Sequence, residues 1–222
     1  MSRILPLSPI DLSWDHNSHY HDYLLRGVPP HAGRALDIGC GDGRFARRLA
    51  LHGLTVDAID PSREMISLAR ERTPGRLPVN YQADALEDAQ LVPGAYDYVS
   101  AVATVHHMPF GPTLDRMAAL LAPGGVLAVL GLYREEGVTD LLTGLAALGP
   151  QWFVGAGLRL ARPLAGVPAA DADRHLEMMP VRDPGLSLRE TGIAAAEHLP
   201  GARLRRLLMW RYALLYTKPT KK

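Results

Sequence analysis

The first two thirds of the chain alternate short apolar runs with amphipathic segments. The apolar runs are five to nine residues long, and most are followed by residues with apolar positions at helical spacing. The predicted strands read RALDI, LTVDAID, VNYQAD, YDYVSAVAT and VLAVLGLY. The predicted helices between them cover FARRLALHG, Pro61 to Arg72 and Thr113 to Leu121. Such alternation predicts an α/β fold with a doubly wound, mostly parallel sheet and helices on both faces.

The flanking segments complete a single predicted domain over residues 1–222. An N-terminal cap helix is expected at about 14–27, ending near Gly27 and Pro29. The rhythm breaks at about 134–186, which we interpret as a helical insertion covering the substrate. Ser187 and Glu190 have capping-box spacing and predict a helix to about Glu197. RLRRLLM and RYALLYTK then predict two final strands, paired antiparallel.

Composition narrows the function classes. Lys plus Arg total 24 against 23 acidic residues, a net charge of +1, which disfavours a general nucleic-acid binder. The one cysteine, Cys40, excludes an internal disulfide and fits a reducing compartment. The N-terminus lacks a signal-peptide pattern, and no apolar run approaches the ~20 residues of a membrane-spanning helix. A soluble, cytoplasmic protein that binds neither nucleic acid nor membrane is expected.

The stretch ALDIGCGDG places Gly39, Gly41 and Gly43 directly after the first strand. Glycine tolerates positive φ and lets a ligand approach bare backbone. A dinucleotide loop, G-x-G-x-x-G, is the alternative, but Arg44 stands where that pattern needs a small residue, and the Walker pattern is absent. Asp37 at the loop edge would repel phosphate and attract an ammonium or sulfonium. The loop therefore indicates a cationic cofactor without phosphate.

Five motifs in order, from Arg34 to Leu132, resemble the class I S-adenosylmethionine-dependent methyltransferases. ALDIGCGDG is similar to the first motif of that family. VDAIDPSREMI, YQADALE, YDYVSAVATVHHM and LLAPGGVLAVL resemble its later strand ends and fifth-strand entry. The resemblance implies a Rossmann-like sheet of seven strands with an antiparallel last strand. It also implies methyl transfer from S-adenosylmethionine, leaving S-adenosylhomocysteine.

The resemblance assigns a cofactor role to residues at the ends of several strands. Asp37 would lie near the methionine amino group, Asp60 would accept bonds from the ribose hydroxyls, and Asp84 would reach the adenine amino group. Tyr20 is the candidate for the methionine carboxylate. The whole expected set is Tyr20, Asp37, Gly39, Cys40, Gly41, Gly43, Asp60, Pro61, Met65, Asp84, Ala85, Ala103 and Thr104. For Asp60 a helix cap, and for Met65 ordinary core packing, are the alternatives.

Histidines supply the candidate general bases. His106 and His107 follow the fourth strand, and His19 lies on the predicted N-terminal helix. Histidine suits proton removal near neutral pH, although a structural or cofactor-adjacent role remains open for each. A metal site is not expected, because His21 should point away from His16 and His19 on a helix.

The predicted substrate pocket draws on the N-terminal helix and the insertion. Its members are His16, Trp152, Phe153, Met178 and Met179. The aromatic residues and methionines among them suit an apolar or aromatic small molecule. Anchoring of the insertion on the core is the alternative for Trp152 and Phe153.

The sequence thus predicts a methyltransferase acting on O, N or C of a small-molecule acceptor. The alternative is the same fold binding S-adenosylmethionine in a non-methylating role, as a cyclase-like catalyst or binding protein. A nucleic-acid or protein methyltransferase is disfavoured by the neutral charge. The chain also lacks, after its fourth strand, the Asn/Asp-Pro-Pro-Tyr/Phe motif that many enzymes use to methylate the exocyclic amines of bases. A homodimer is left open.

Overall fold

The computed structural model describes residues 17–136 and 183–220. Within these residues, two single 3₁₀ turns, Ser18–Tyr20 and Val105–His107, accompany five α-helices and seven strands. The helices are α1 (His21–Leu25), α2 (Arg44–Leu51), α3 (Arg63–Arg72), α4 (Phe110–Leu120) and α5 (Leu188–His198). The strands are β1 (Arg34–Ile38), β2 (Thr55–Ile59), β3 (Val79–Gln82), β4 (Tyr96–Val102), β5 (Leu121–Leu132), β6 (Arg203–Arg206) and β7 (Arg211–Thr217).

The seven strands form one sheet in the order β3-β2-β1-β4-β5-β7-β6. β1 pairs in parallel with β2 and β4, and β4 pairs in parallel with β5. β7 lies between β5 and β6 and is antiparallel to both. The predicted fold class is confirmed. Because the chain runs outward from β1 to β3 and returns to place β4 on the other side of β1, the topological switch point lies between β1 and β4.

Helices cover both faces of the sheet. On one face α1, α2 and α3 pack through Leu24, Phe45 and Ile66. On the other face α4 and α5 pack through Met117 and Ala195. Since successive strand residues point to opposite faces, a sheet covered twice buries nearly every central-strand side chain. The core therefore fixes the strand ends rigidly, and those ends carry the site.

Two helices begin at the serines that the sequence places there. The Ser62 hydroxyl accepts a hydrogen bond from the Met65 backbone N–H at 3.2 Å, which caps α3. At α5 the capping box is complete: Ser187 Oγ accepts from Glu190 N at 3.3 Å, and Glu190 Oε2 accepts from Ser187 N at 2.8 Å. The predicted start of this last helix is confirmed.

The N-terminal helix is shorter than the predicted span of about 14–27. Residues 14–16 lie outside the described part, and after Asn17 the chain makes one 3₁₀ turn before the five-residue α1. No side chain caps either segment, so local sequence does not extend the helix. Packing holds it instead: Leu24 is fully buried, and Tyr98 Oη donates to the Leu24 carbonyl at 2.9 Å.

β5 begins earlier than predicted, at Leu121 instead of near Val126. Leu121 pairs with Tyr96, and the register then shifts before Tyr98 pairs with Val126. The expected APGG turn is therefore an irregularity inside the strand. Gly125 is required there, because an added Cβ would lie 2.9 Å from the Ala122 carbonyl oxygen.

Most of the predicted insertion at about 134–186 lies outside the described residues, but its two ends are described. Arg134 N donates to the Leu186 carbonyl at 2.8 Å, and Arg134 forms an isolated bridge with Ser187. The segment therefore leaves and rejoins the domain at one place, beside the end of β5.

None of the helices in residues 17–136 and 183–220 is both long enough and apolar enough to cross a bilayer.

Candidate active site

A cavity of about 600 Å³ opens at the carboxyl ends of β1, β2 and β4. This is the switch point of the sheet, where open α/β folds bind ligands. The cavity brings together thirteen of the residues predicted from sequence: Asp37, Gly39, Cys40, Gly41, Asp60, Pro61, Met65, Asp84, Ala85, Ala103, Thr104, His106 and His107. Its volume is in the range of pockets that hold drug-sized ligands.

The glycine loop adopts backbone that only glycine enters without strain. Gly39, Gly41 and Gly43 have φ of +64°, +53° and +77°. At Gly41 an added Cβ would meet nothing within 4 Å, so this residue presents bare backbone to the cavity. At Gly39 the added atom would overlap the Thr104 side chain. The loop is therefore open toward the cavity and packed tightly against the loop that follows β4.

Asp37 is a buried carboxylate beneath the glycine loop, with 1% of its surface exposed. Ser100 Oγ donates to its Oδ1 at 2.7 Å, while its buried Oδ2 accepts no hydrogen bond from the described residues. Burial raises the pKa of Asp37 to about 7, the charge of Asp60 adds to the effect, and the Ser100 bond opposes it. An unsatisfied buried oxygen at a cavity wall is suited to a cationic ligand.

Asp60 follows β2 and ties the glycine loop to the start of α3. Its Oδ2 accepts from Gly41 N at 2.9 Å, and its Oδ1 accepts from Ser62 N at 2.9 Å. Each carboxylate oxygen has two lone pairs, so both retain capacity for a ligand hydroxyl. The alternative of a helix cap for Asp60 is wrong, because Ser62 is the N-cap of α3 and Asp60 binds the backbone just before that helix.

The far end of the cavity is formed by residues after β2 and β3. Met65 on α3 is 4% exposed and contributes an apolar wall. Asp84 and Ala85 lie on the loop after β3, where the Ala85 carbonyl accepts from the Ala89 backbone N–H at 3.0 Å. An apolar side chain beside a carboxylate suits a planar ligand that carries an amino group.

The opposite end of the cavity carries the two adjacent histidines. Ala103, after β4, has φ of +52° and donates its N–H to the Leu130 carbonyl at 2.7 Å. This conformation is strained for a residue with a side chain, and such strain clusters at functional sites. The following 3₁₀ turn carries His106 and His107 with ring centroids 4.0 Å apart, and both line the cavity.

A buried ion cluster supports the glycine loop from behind. Asp42, inside the loop, is 2% exposed, and its Oδ2 accepts from Arg72 Nη1 at 2.7 Å. Arg47 Nη1 donates to the Asp42 carbonyl at 2.6 Å. α2 and α3 thus both hold the same loop residue, Asp42, which supports the positive-φ conformation of the loop.

Three predicted site residues lie away from the cavity wall. Tyr20 is buried, but its hydroxyl donates to the Leu208 carbonyl at 3.1 Å, in the turn between β6 and β7. His19 is exposed and outside the cavity lining. Gly43 is the last glycine of the loop and faces Tyr81 instead of the cavity, so an added Cβ would overlap the Tyr81 hydroxyl. The predicted substrate residues His16, Trp152, Phe153, Met178 and Met179 lie outside the described residues.

Sequence reasoning missed several wall residues, above all Asn17, His21, Phe45 and Arg211. His21 was expected to point elsewhere on a continuous helix, yet it is 3% exposed and its ring lies 4.8 Å from Phe45. The change from 3₁₀ turn to α-helix at this residue alters which side chains face inward. Arg211 had a usable signal: the first residue of an antiparallel last strand lies at the edge where parallel strands end.

Comparison with known proteins identifies the family. Residues 36–127 match the family model of a methyltransferase domain. Over 214 residues the chain is 31% identical to an uncharacterized methyltransferase of Mycobacterium tuberculosis, covering 95% of this chain and 100% of that protein. The chain belongs to the class I S-adenosylmethionine-dependent methyltransferases. The resemblance drawn from the five motifs is confirmed.

Two further proteins show partial sequence similarity and a shared fold, respectively. The chain is 35% identical over 136 residues to a ubiquinone biosynthesis O-methyltransferase of Xylella fastidiosa, which covers 60% of this chain and 54% of that one. A solved S-adenosylmethionine-dependent methyltransferase from Aquifex aeolicus shares the fold, with a TM-score of 0.59, 16% identity and coverage of 95% and 93%. The predicted enzyme class and the predicted cofactor, S-adenosylmethionine, are confirmed.

The cavity fits this cofactor on its own evidence. Gly41 leaves open space where a side chain would protrude. The buried Asp37 Oδ2 accepts no hydrogen bond from the described residues and can accept one from a ligand. Asp37, Asp60 and Asp84 all line the cavity, which suits a ligand carrying a positive charge, hydroxyls and an amino group. No phosphate-binding lysine or Gly-Lys-Ser/Thr sequence accompanies the loop.

Proposed function

We propose that this methyltransferase transfers the methyl group to an O, N or C atom of a small-molecule acceptor. The observation that carries the proposal is the continuity of the cavity. One space of about 600 Å³ joins the glycine loop with its carboxylates to the histidine pair after β4. The Xylella fastidiosa relative, named as an O-methyltransferase of ubiquinone biosynthesis, agrees with a small acceptor.

In this proposal each wall residue has a role toward the cofactor. Asp37 holds the methionine amino group through its free Oδ2, and Asp60 accepts from the ribose hydroxyls. Met65 packs on the adenine ring, and Asp84 accepts from the adenine amino group. Gly41 lets the cofactor lie against the backbone. When bound, S-adenosylmethionine supplies a methyl group that is already activated by its attachment to a positively charged sulfur.

The remaining chemistry falls to alignment and proton removal by the protein. Direct displacement needs the acceptor atom in line with the methyl group in a space closed to water. Thr104 packs against Gly39 and fixes the end of β4 relative to the cofactor loop. His106 or His107 lies at the cavity wall beyond Thr104. In this proposal one of them takes the proton from the acceptor atom as that atom attacks the methyl carbon. His19 is not proposed as a base, because it is exposed and outside the wall.

The test is turnover with a panel of small acceptors bearing phenol, amine, carboxylate or activated-carbon groups. Formation of S-adenosylhomocysteine is measured for the wild type, His106→Ala, His107→Ala and the exposed control His52→Ala. We expect product with at least one acceptor, and a loss of about 10²-fold or more in kcat for one histidine variant. Tight binding of S-adenosylmethionine without methyl transfer to any acceptor would favour the non-methylating alternative.

A further inference from the structure

Arg211 is a buried cation in the cavity wall that the cofactor roles leave unexplained. Among the described residues it is the only lysine or arginine that is buried, with 8% of its surface exposed. It is the first residue of β7, where it pairs with Leu132 at the end of β5. Burying a guanidinium costs free energy even when it is hydrogen-bonded, so its position in the wall of a ligand cavity points to a role toward a ligand.

The sheet register places Arg211 on the β5–β7 side of the cavity. Across the sheet, Ile38 aligns with Ala101, Ala101 with Val129, and Val129 with Leu214. Arg211 stands three residues beyond Leu214, which is about 10 Å further out past the strand ends. β7 is also two strands from β4 and three from β1, or about 10 and 14 Å across the sheet. Arg211 therefore lies on the β5–β7 side of the cavity, three strands away from β1, which carries the glycine loop.

Neighbouring groups hold the guanidinium in a fixed orientation. Arg211 Nε donates to Asn17 Oδ1 at 2.8 Å, and Nη1 donates to the Met209 carbonyl at 2.6 Å. Asn17 also lines the cavity. The turn that presents Arg211 is strained, since Met209 and Trp210 have φ of +61° and +57°. The strained turn and the burial of Arg211 thus place one positive charge in the cavity wall.

We propose that Arg211, oriented by Asn17, binds an anionic group of the methyl acceptor, a carboxylate or a phosphate. This inference rests on the proposed function and deepens it by naming a substrate class. The planar guanidinium forms paired hydrogen bonds with either group, which a lysine ammonium does not reproduce. Arg211 is then the residue that selects anionic acceptors over neutral ones of the same shape.

The test compares three probes of similar size and different charge: benzoate, phenyl phosphate and benzamide. Each is titrated into the protein with and without saturating S-adenosylhomocysteine at constant ionic strength, with tryptophan fluorescence as the readout. The variants are Arg211→Gln, Arg211→Lys, Asn17→Ala and the exposed control Arg203→Gln. Calorimetric titration gives the affinity of every variant for S-adenosylhomocysteine.

We expect the wild type to bind benzoate or phenyl phosphate at least 10-fold more tightly than benzamide, and the better of the two identifies the anion. Arg211→Gln removes this preference, Arg211→Lys and Asn17→Ala reduce it, and all variants keep S-adenosylhomocysteine affinity within about twofold. Equal binding of the three probes by the wild type would overturn the proposal. So would a 10-fold loss of S-adenosylhomocysteine affinity in Arg211→Gln with the preference intact, which assigns Arg211 to the cofactor's carboxylate.

The arms also separate this inference from the proposed function. If no acceptor in the panel is methylated, the proposed function fails, while the probe titrations still decide whether Arg211 selects anions. If Arg211→Gln does not fold, Asn17→Ala carries the same test, because it leaves the charge in place and removes the acceptor that orients Nε.

Discussion

Asp37→Asn tests whether a destabilising carboxylate is kept for binding. The pKa of Asp37 rises from 3.8 to about 7 in the folded protein, chiefly through burial. A folded-state pKa above the unfolded value means that the native state binds more protons, so stability falls as pH rises through this interval. One pKa unit corresponds to about 1.4 kcal/mol, so full ionisation costs the folded state about 4 kcal/mol.

The assay is urea unfolding of cofactor-free protein at pH 5 and pH 8. Between pH 5 and pH 8, linkage predicts that the free energy of unfolding of the wild type falls by about 2.5 kcal/mol more than that of Asp37→Asn. Contributions from other titrating groups are common to both proteins and cancel in the comparison. Asp88→Asn, at an exposed position, is the matched control and should follow the wild type. If the gap between wild type and Asp37→Asn is the same at both pH values, the reasoning is refuted.

Binding should show the reverse dependence. A cationic ligand favours the ionised form of Asp37, so calorimetry should find wild-type affinity for S-adenosylmethionine increasing between pH 5 and 7. Asp37→Asn removes the charge, and its affinity should be weaker and nearly independent of pH over this range. A variant that is more stable at pH 8 and binds less well would show that function opposes stability at this residue.

Two further predictions concern the support of the glycine loop. Arg72→Met leaves the buried Asp42 carboxylate without its 2.7 Å partner, so we expect about 10-fold weaker binding of S-adenosylhomocysteine by calorimetry. Arg72→Lys should recover part of that loss and exposed Arg63→Met should lose none; equal losses in the two methionine variants would contradict this role. Gly43→Ala combines a positive φ with overlap on Tyr81, and should lower the free energy of unfolding by about 2–4 kcal/mol. In a double-mutant cycle with Tyr81→Leu, the combined loss should be smaller than the sum, and simple additivity would exclude the overlap.

The parallel half of the fold was predictable because local pattern and tertiary structure agree there. β1, the glycine loop and Asp60 follow one another within a strand–loop–helix rhythm, and parallel strands bring their carboxyl ends to one edge. Position along a strand therefore predicted position in space. The capping box at Ser187 was equally readable, because both of its hydrogen bonds are local.

The part of the cavity wall formed by the N-terminal turn and β7 was less predictable, because long-range contacts determine its structure. His21 faces the cavity through a change of helix type that no local cap signals. Tyr20 turns toward the Leu208 carbonyl, a partner 188 residues away. Arg211 reaches the wall through the antiparallel insertion of β7, whose pairing partner is far earlier in the chain. Hydrophobic periodicity carries no information on such pairings.

The bonds of Tyr20 to Leu208 and of Asn17 to Arg211 join residues 188 and 194 positions apart. Each closes a loop spanning almost the whole polypeptide, whereas the cofactor half joins neighbours in sequence. Chain entropy disfavours such distant closures until most of the sheet exists. During folding, the half of the sheet that carries the glycine loop can therefore assemble before the half that carries Arg211.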